Sequence, residues 1–200
     1  MESLDRFDEQ HFSKLAYRNY RAPILGQLLI DIFHPISVVD VGCGNGSLIK
    51  WLVAKNVYAI GIEGSESARK LFEAEDARLF IEDVTKPIIG LGSGFDLAVC
   101  INVAEHIADD RIDGLIENLY HLARSVFFVS LSEEYAHNWK NKYHFRNKEK
   151  WIKKFSDAGF SHGAHQEKME KTVGKTLAPW TRKTEINWII KCSLIFGKEK

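Results

Sequence analysis

Three glycines separated by single residues, Gly42, Gly44 and Gly46, stand between an acidic residue, Asp40, and an apolar stretch that begins at Ser47. The segment Val38-Val39-Asp40-Val41-Gly42-Cys43-Gly44-Asn45-Gly46 reads as a strand, a tight turn and the start of a helix. Glycine is needed where the backbone takes positive φ or lies against a ligand, because a Cβ blocks both. Such a turn over the end of a parallel strand suits a nucleotide-like ligand. Sites that cradle a pyrophosphate use G-x-G-x-x-G, whereas the spacing here is G-x-G-x-G with Leu48 and Ile49 next. No Lys-Ser or Lys-Thr follows, which excludes a P-loop.

Further polar residues sit at the ends of later apolar runs. Val57 to Ile62 ends in Glu63, about twenty residues beyond the glycines, where a carboxylate can accept from both ribose hydroxyls. Arg78 to Ile81 ends in Glu82-Asp83-Val84, and Phe95 to Ile101 runs into Asn102-Val103-Ala104-Glu105-His106.

Asp40 to Gly46, D-x-G-C-G-x-G, resembles motif I of the class I S-adenosylmethionine-dependent methyltransferases, and Phe95 to Ile107 resembles motif IV of that family. The resemblance covers residues 22–130 closely and the final hairpin more loosely. It implies S-adenosyl-L-methionine as cofactor and S-adenosyl-L-homocysteine as product. Asp40, Gly42, Cys43, Gly44 and Gly46 would hold the amino-acid tail, Glu63 and Gly64 the ribose, and Asp83 and Val84 the adenine. Asn102 would lie in the loop facing the methyl group, and Tyr20 on an N-terminal helix folded over the donor. The implied fold is α/β and doubly wound, with a mostly parallel seven-stranded sheet in the order 3-2-1-4-5-7-6 and the last strand antiparallel.

Methyl transfer from a sulfonium is an in-line displacement with an activated donor, so the protein mainly aligns the reactants. A base is needed only if the acceptor must lose a proton. His106, after the fourth strand, is the first candidate, because an imidazole titrates near neutrality; His144, in Tyr143-His144-Phe145-Arg146, is the second. His106 can alternatively cap the next helix or bond to the adenine side of the pocket. Glu105-His106 also has a faint similarity to the metal-binding loop of small-RNA 2′-O-methyltransferases. Asn102 stands where that family has a Glu, removing a hard oxygen ligand, so no metal is expected. The Asn-Pro-Pro-Tyr signature of amino-methylating DNA enzymes is absent after strand four, which argues against base N-methylation there.

The elements that must position these residues follow from periodicity. Two helices are expected across residues 10–33, with Pro23 in the first turn of the second. Strands are expected at 36–41, 57–62, 78–81, 95–101, 126–130 and 186–196. Helices fall near 46–55, 65–75, 109–123 and 147–158, the last closed by Gly159. This alternation means βαβ crossovers and a parallel sheet with helices on both faces. One domain over residues 1–200 is expected, with N-terminal helices to 34, a donor-binding core at 36–130, and acceptor-side loops and a final hairpin at 131–200.

Net charge is zero and hydrophobic content 45%. No apolar run reaches the roughly 18 residues a membrane span needs, so a cytoplasmic protein without a membrane partner is expected. Cys43, Cys100 and Cys192 read as reduced, and no C-x-x-C pair suggests zinc. The charge is uneven: Met1 to Tyr135 holds 12 Lys/Arg against 21 Asp/Glu, and Ala136 to Lys200 holds 15 against 6. A basic last third suits an anionic partner. Loops at 131–146 and 166–184 are irregular and aromatic, and loops of that kind carry specificity. Lys142, Arg146 and Trp180 are the expected substrate-binding residues. The expected reaction is O-methylation of a small-molecule or glycan-like, anionic acceptor. RNA is the alternative acceptor, and a non-catalytic donor-binding protein the alternative function.

Overall fold

Runs rich in β-branched and aromatic residues form the strands β1 Ser37–Val41, β2 Tyr58–Glu63, β3 Leu79–Ile81, β4 Phe95–Ile101, β5 Ala123–Val129, β6 Phe160–His162 and β7 Ser193–Lys198. The computed structural model describes residues 9–10, 21–75, 78–130, 148–163, 166–167, 171–172 and 193–198. The strands form one sheet in the order β3-β2-β1-β4-β5-β7-β6. β7 runs antiparallel to β5 and β6, and the other pairings are parallel.

The sheet is covered by α1 Arg21–Phe33, α2 Ser47–Ala54, α3 Ile112–Leu122 and α4 Lys148–Asp157. Side chains alternate across a strand, so Val38 and Val39 serve opposite cores. Val38, Leu97, Val99 and Phe127 pack with Leu28, Leu29, Ile32, Ile49 and Leu52 of α1 and α2. Val39, Val41, Ile60, Ile62 and Phe128 pack with Ile112, Leu115, Leu119, Trp151 and Phe155 of α3 and α4. Burying each such aliphatic or phenyl side chain stabilises by roughly 1.5–3 kcal/mol. The approach of α1 to α2 depends on Gly26, where a Cβ would lie 2.2 Å from Cε3 of the Trp51 ring.

Several boundaries differ from the sequence expectation. The helix expected at 65–75 is one stretch of 3-10 helix, Glu66–Leu71. The Ser65 side chain accepts from the Ser67 N–H at 3.3 Å at its start. Phe72 then turns extended, with its ring against Gly46. β5 begins at Ala123 directly after α3, because Ala123 already pairs with Phe95. β7 runs to Lys198, beyond Phe196. Gly159 follows α4 at φ +92, as a C′ glycine should. The first N-terminal helix, residues 186–192 of the expected last strand, the loop at 131–146 and nearly all of 166–184 lie outside the described residues. No helix among the described residues is long and apolar enough to cross a membrane.

Candidate active site

β1 delivers Asp40 to the carboxyl edge of the sheet, and the chain turns through Gly42, Gly44 and Gly46 at φ +78, +57 and +71. The Gly42 and Cys43 amides donate to the Ile62 carbonyl at 2.7 and 3.1 Å, pinning the turn to β2. Two glycines answer to neighbours as well as to φ. A Cβ at Gly42 would lie 2.2 Å from Val103 Cγ2, and one at Gly46 2.3 Å from Phe72 Cε2. Asn45, only 4% exposed, locks the turn from the other side. Its Nδ2 donates to Glu73 Oε1 at 2.9 Å, and its carbonyl accepts from the Glu73 N–H at 2.8 Å. The sequence signal for this clamp was an Asn just before a helix start, a position at which Asn bonds local backbone.

Glu63, at the tip of β2, is 8% exposed and gathers three amides. Gly44 N–H donates to Oε2 at 3.0 Å, and Gly64 and Ser65 N–H donate to Oε1 at 2.8 and 3.2 Å. Burial raises the carboxyl above its ordinary range while these amides oppose the rise. A carboxylate has about four lone-pair sites, so Oε2 keeps capacity for a further donor such as a ribose hydroxyl. The Asp40 carboxyl, in a residue only 6% exposed, makes no hydrogen bond or ion pair among the described residues. Burial, and then Glu63, push it up to about 7. Burial, then Asp40 and Glu63, hold the buried Cys43 well above the usual thiol range, so it remains a neutral thiol.

Asp83 lies just beyond β3. Burial would raise its carboxyl, but the Thr85 hydroxyl (2.7 Å) and amide (3.0 Å) on Oδ1, with Lys86 at 3.4 Å from Oδ2, outweigh it and hold the group low. Oδ2 therefore remains the atom able to accept from an adenine amino group. The backbone after it is fixed by a residue that periodicity concealed. Asn118, inside α3, donates to the Val84 and Lys86 carbonyls at 2.8 and 2.7 Å and accepts from Ile88 N–H at 3.2 Å. A buried Asn inside an otherwise apolar helix face is the signal that could have found it.

At the end of β4, Asn102 sits at φ +56, with its N–H bonded to the Val129 carbonyl of β5 at 2.8 Å. Its side-chain Oδ1 is buried without a hydrogen-bond partner among the described residues. Glu105 is fully buried and accepts from Ser130 Oγ at 3.2 Å. His106 is half-buried and ends the 3-10 turn Ala104–His106. Asp40, the three glycines, Cys43, Glu63 and Gly64 thus form one cluster over β1 and β2. Asp83 with Val84 stands at the end of β3, and Asn102 at the end of β4. Among the described residues, no group of three or more His, Cys, Asp or Glu side chains is placed to hold a metal. Tyr20, Lys142, His144, Arg146 and Trp180 lie outside the described residues.

The strand order, the glycine turn after β1 and the acidic residue at the tip of β2 define a class I S-adenosylmethionine-dependent methyltransferase. Residues 10–166 match the family described as a methyltransferase domain, and the chain belongs to that family. Its cofactor is S-adenosylmethionine. The tRNA (carboxymethyluridine(34)-5-O)-methyltransferase alkbh8 of Xenopus tropicalis is 28% identical over 139 residues, which is 66% of this chain and 21% of that protein. The chain therefore spans about a fifth of that relative's length. In fold it is similar to the sugar N-methyltransferase KedS8 from Streptoalloteichus sp ATCC 53650 (TM-score 0.68, 14% identity, 94% of this chain and 93% of that one). It is also similar to the magnesium protoporphyrin IX methyltransferase ChlM of Synechocystis PCC 6803 with bound SAH (TM-score 0.61, 16% identity, 91% and 84%).

Proposed function

We propose that the protein methylates an oxygen of an anionic acceptor, a small or glycan-like molecule bound at the carboxyl edge between β4 and β5. One observation carries this reading. The chain leaves β5 at Ser130, beside Asn102 and Glu105, and the stretch that starts there leads into the basic third of the sequence. Bound S-adenosylmethionine supplies a methyl already activated on a sulfonium, which leaves alignment to the protein. Glu63, Gly64 and the glycine turn hold the ribose and amino-acid tail, Asp83 and Val84 the adenine, and Tyr20 covers them. Asn102 Oδ1 accepts a hydrogen bond at the methyl-facing end. His106 takes the proton when the acceptor is a hydroxyl, with His144 as the second candidate; a carboxylate acceptor arrives ionised and needs no base. Lys142 and Arg146 attract the anion, Arg146 by a planar two-point contact, and Trp180 packs on the acceptor.

The experiment is a screen of a metabolite extract with labelled methyl donor, followed by Arg146→Ala on the acceptor it yields. The acceptor KM should rise roughly tenfold for each 1.4 kcal/mol lost, with donor affinity level. Unchanged acceptor kinetics in the Lys142→Ala/Arg146→Ala double variant would reject the anionic contact. RNA is the second reading, favoured by the Xenopus relative, whose name records oxygen methylation of a carboxymethyluridine in tRNA. Aromatic residues interleaved with Lys and Arg from Trp139 to Trp180 support it. RNA affinity that falls steeply with salt would select this reading.

A further inference from the structure

The crossover from β3 to β4 lacks the helix that parallel connections usually carry: residues 82–94 form neither helix nor strand. Its backbone groups therefore have no ladder or helical turn to satisfy them, and a buried carbonyl or amide must find a partner elsewhere. Just after Asp83 that partner is α3. Asn118, 6% exposed, donates through Nδ2 to the Val84 and Lys86 carbonyls at 2.8 and 2.7 Å, and its Oδ1 accepts from Ile88 N–H at 3.2 Å. Between those two carbonyls, the Thr85 carbonyl oxygen lies 2.2 Å from where a Cβ at Gly114 would stand. Gly114 and Asn118 are four residues apart and share one face of the helix. The glycine lets α3 close on the crossover, and the amide one turn later holds it there.

This dock bears directly on Asp83. Thr85 Oγ1 and N–H donate to Asp83 Oδ1 at 2.7 and 3.0 Å, and Lys86 N–H closes the turn on the Asp83 carbonyl at 2.9 Å. The carboxylate is thus oriented by Thr85, and Thr85 is seated by α3 with an anchored carbonyl on either side. Val84 is buried in the same core cluster as Ile112 and Leu115 of α3.

We propose that Asn118, together with Gly114, is a positioning residue for adenine recognition: by seating residues 84–86 on α3 it fixes Asp83 Oδ2 for the exocyclic amino group of the donor, and so sets the preference for a 6-amino over a 6-oxo purine. A 6-oxo purine presents a carbonyl oxygen in place of the amino group, and two acceptors then face each other. This rests on the proposed reading of Asp83 as the adenine ligand.

Calorimetry of the full chain with S-adenosylhomocysteine and with S-inosylhomocysteine, its 6-oxo counterpart, reads that preference as a ratio of dissociation constants. The unaltered protein should bind the adenosyl ligand at least about tenfold more tightly, as expected for a hydrogen bond to a charged acceptor, and Asp83→Ala should bring the ratio close to one. Asn118→Leu removes the anchoring amide. Gly114→Ala keeps the helix, which alanine favours over glycine, but its Cβ must push Thr85 away. Each should move the ratio toward that of Asp83→Ala, and in the Asp83→Ala background Asn118→Leu should leave it unmoved. General loosening of the fold weakens both ligands alike and spares their ratio, and Gly114→Ala carries the test if Asn118→Leu does not fold. A ratio unchanged from that of the unaltered protein in the folded variants overturns the proposal. Equal binding of the two ligands to the unaltered protein, or binding of neither, instead removes Asp83 as the adenine ligand, and the proposal with it.

Discussion

On the proposed donor side, Glu63 gathers three backbone amides and Asn45 clamps the turn to Glu73; at the end of β4, Asn102 is held at φ +56 with its side-chain oxygen buried and without a partner among the described residues. The first region has much of its hydrogen-bonding capacity met within the chain and keeps the Asp40 carboxyl, Glu63 Oε2 and Asp83 Oδ2 open among the described residues. The second keeps strain and an unmet acceptor, each of which costs on the order of 1–3 kcal/mol. A donor that is the same at every turnover can be met by a backbone cradle. A strained, unsatisfied group is tolerated where a ligand or a reaction relieves it.

The largest expected effect tests the rigidity of the donor side. A β-branched residue at φ +57 is a steric outlier, so Gly44→Val must shift the amide that Glu63 holds. Donor affinity should fall by on the order of 100-fold or more, while circular dichroism shows the fold retained. Unchanged affinity by calorimetry would mean that the cradle is not preformed.

Next comes the chemistry at the other end. His106→Ala should lower turnover by about 10² to 10⁴ and leave donor binding level, as a group acting only in the transition state requires. An equal loss of donor affinity would move His106 from the acceptor side to the donor pocket.

Glu63→Ala should weaken the donor by about 1–3 kcal/mol, and the loss should appear in the dissociation constant. If affinity holds and only turnover drops, Glu63 serves the turn and not the ribose. The smallest effect separates the regions by sign. Asn102→Gly removes both the αL strain and the orphaned oxygen but adds glycine's freedom in the unfolded chain and loses the side chain's packing, so the net rise in stability should be about 0.5–1 kcal/mol, or roughly 1–4 °C in Tm, while methyl transfer slows. A fall in Tm would show that Asn102 is structural.

Much of this division was legible in the sequence, for reasons that differ by residue. The glycine turn, Glu63 and Asp83 announce themselves because positive φ and strand-end carboxylates restrict residue type. β4, an unbroken buried run, was found at the observed bounds, Phe95–Ile101. The strand order came from family resemblance, since periodicity carries no information about which strands are neighbours. The short 3-10 stretch at Glu66–Leu71 reads as a longer helix in sequence because the force that ends it, the Phe72 ring on Gly46, is tertiary. The Asn118 clamp and the left-handed Asn102 were hidden for the same reason. Each is fixed by a partner or a turn far along the chain, and the residue type alone does not declare it.

The contact between Gly26 and Trp51 has a historical consequence. Gly26 is helical without positive φ, and the nearest bar to a larger residue there is the indole, 2.2 Å from where a Cβ would stand. Alanine at 26 would gain up to about 1 kcal/mol in helix propensity, yet it is blocked while Trp51 stays. A lineage can reach that pairing only by shrinking residue 51 first, through an intermediate with a hole between α1 and α2. The order of substitutions is thereby constrained, and related chains should carry Gly with Trp, or a larger residue with a smaller partner, and seldom the mixed pairs.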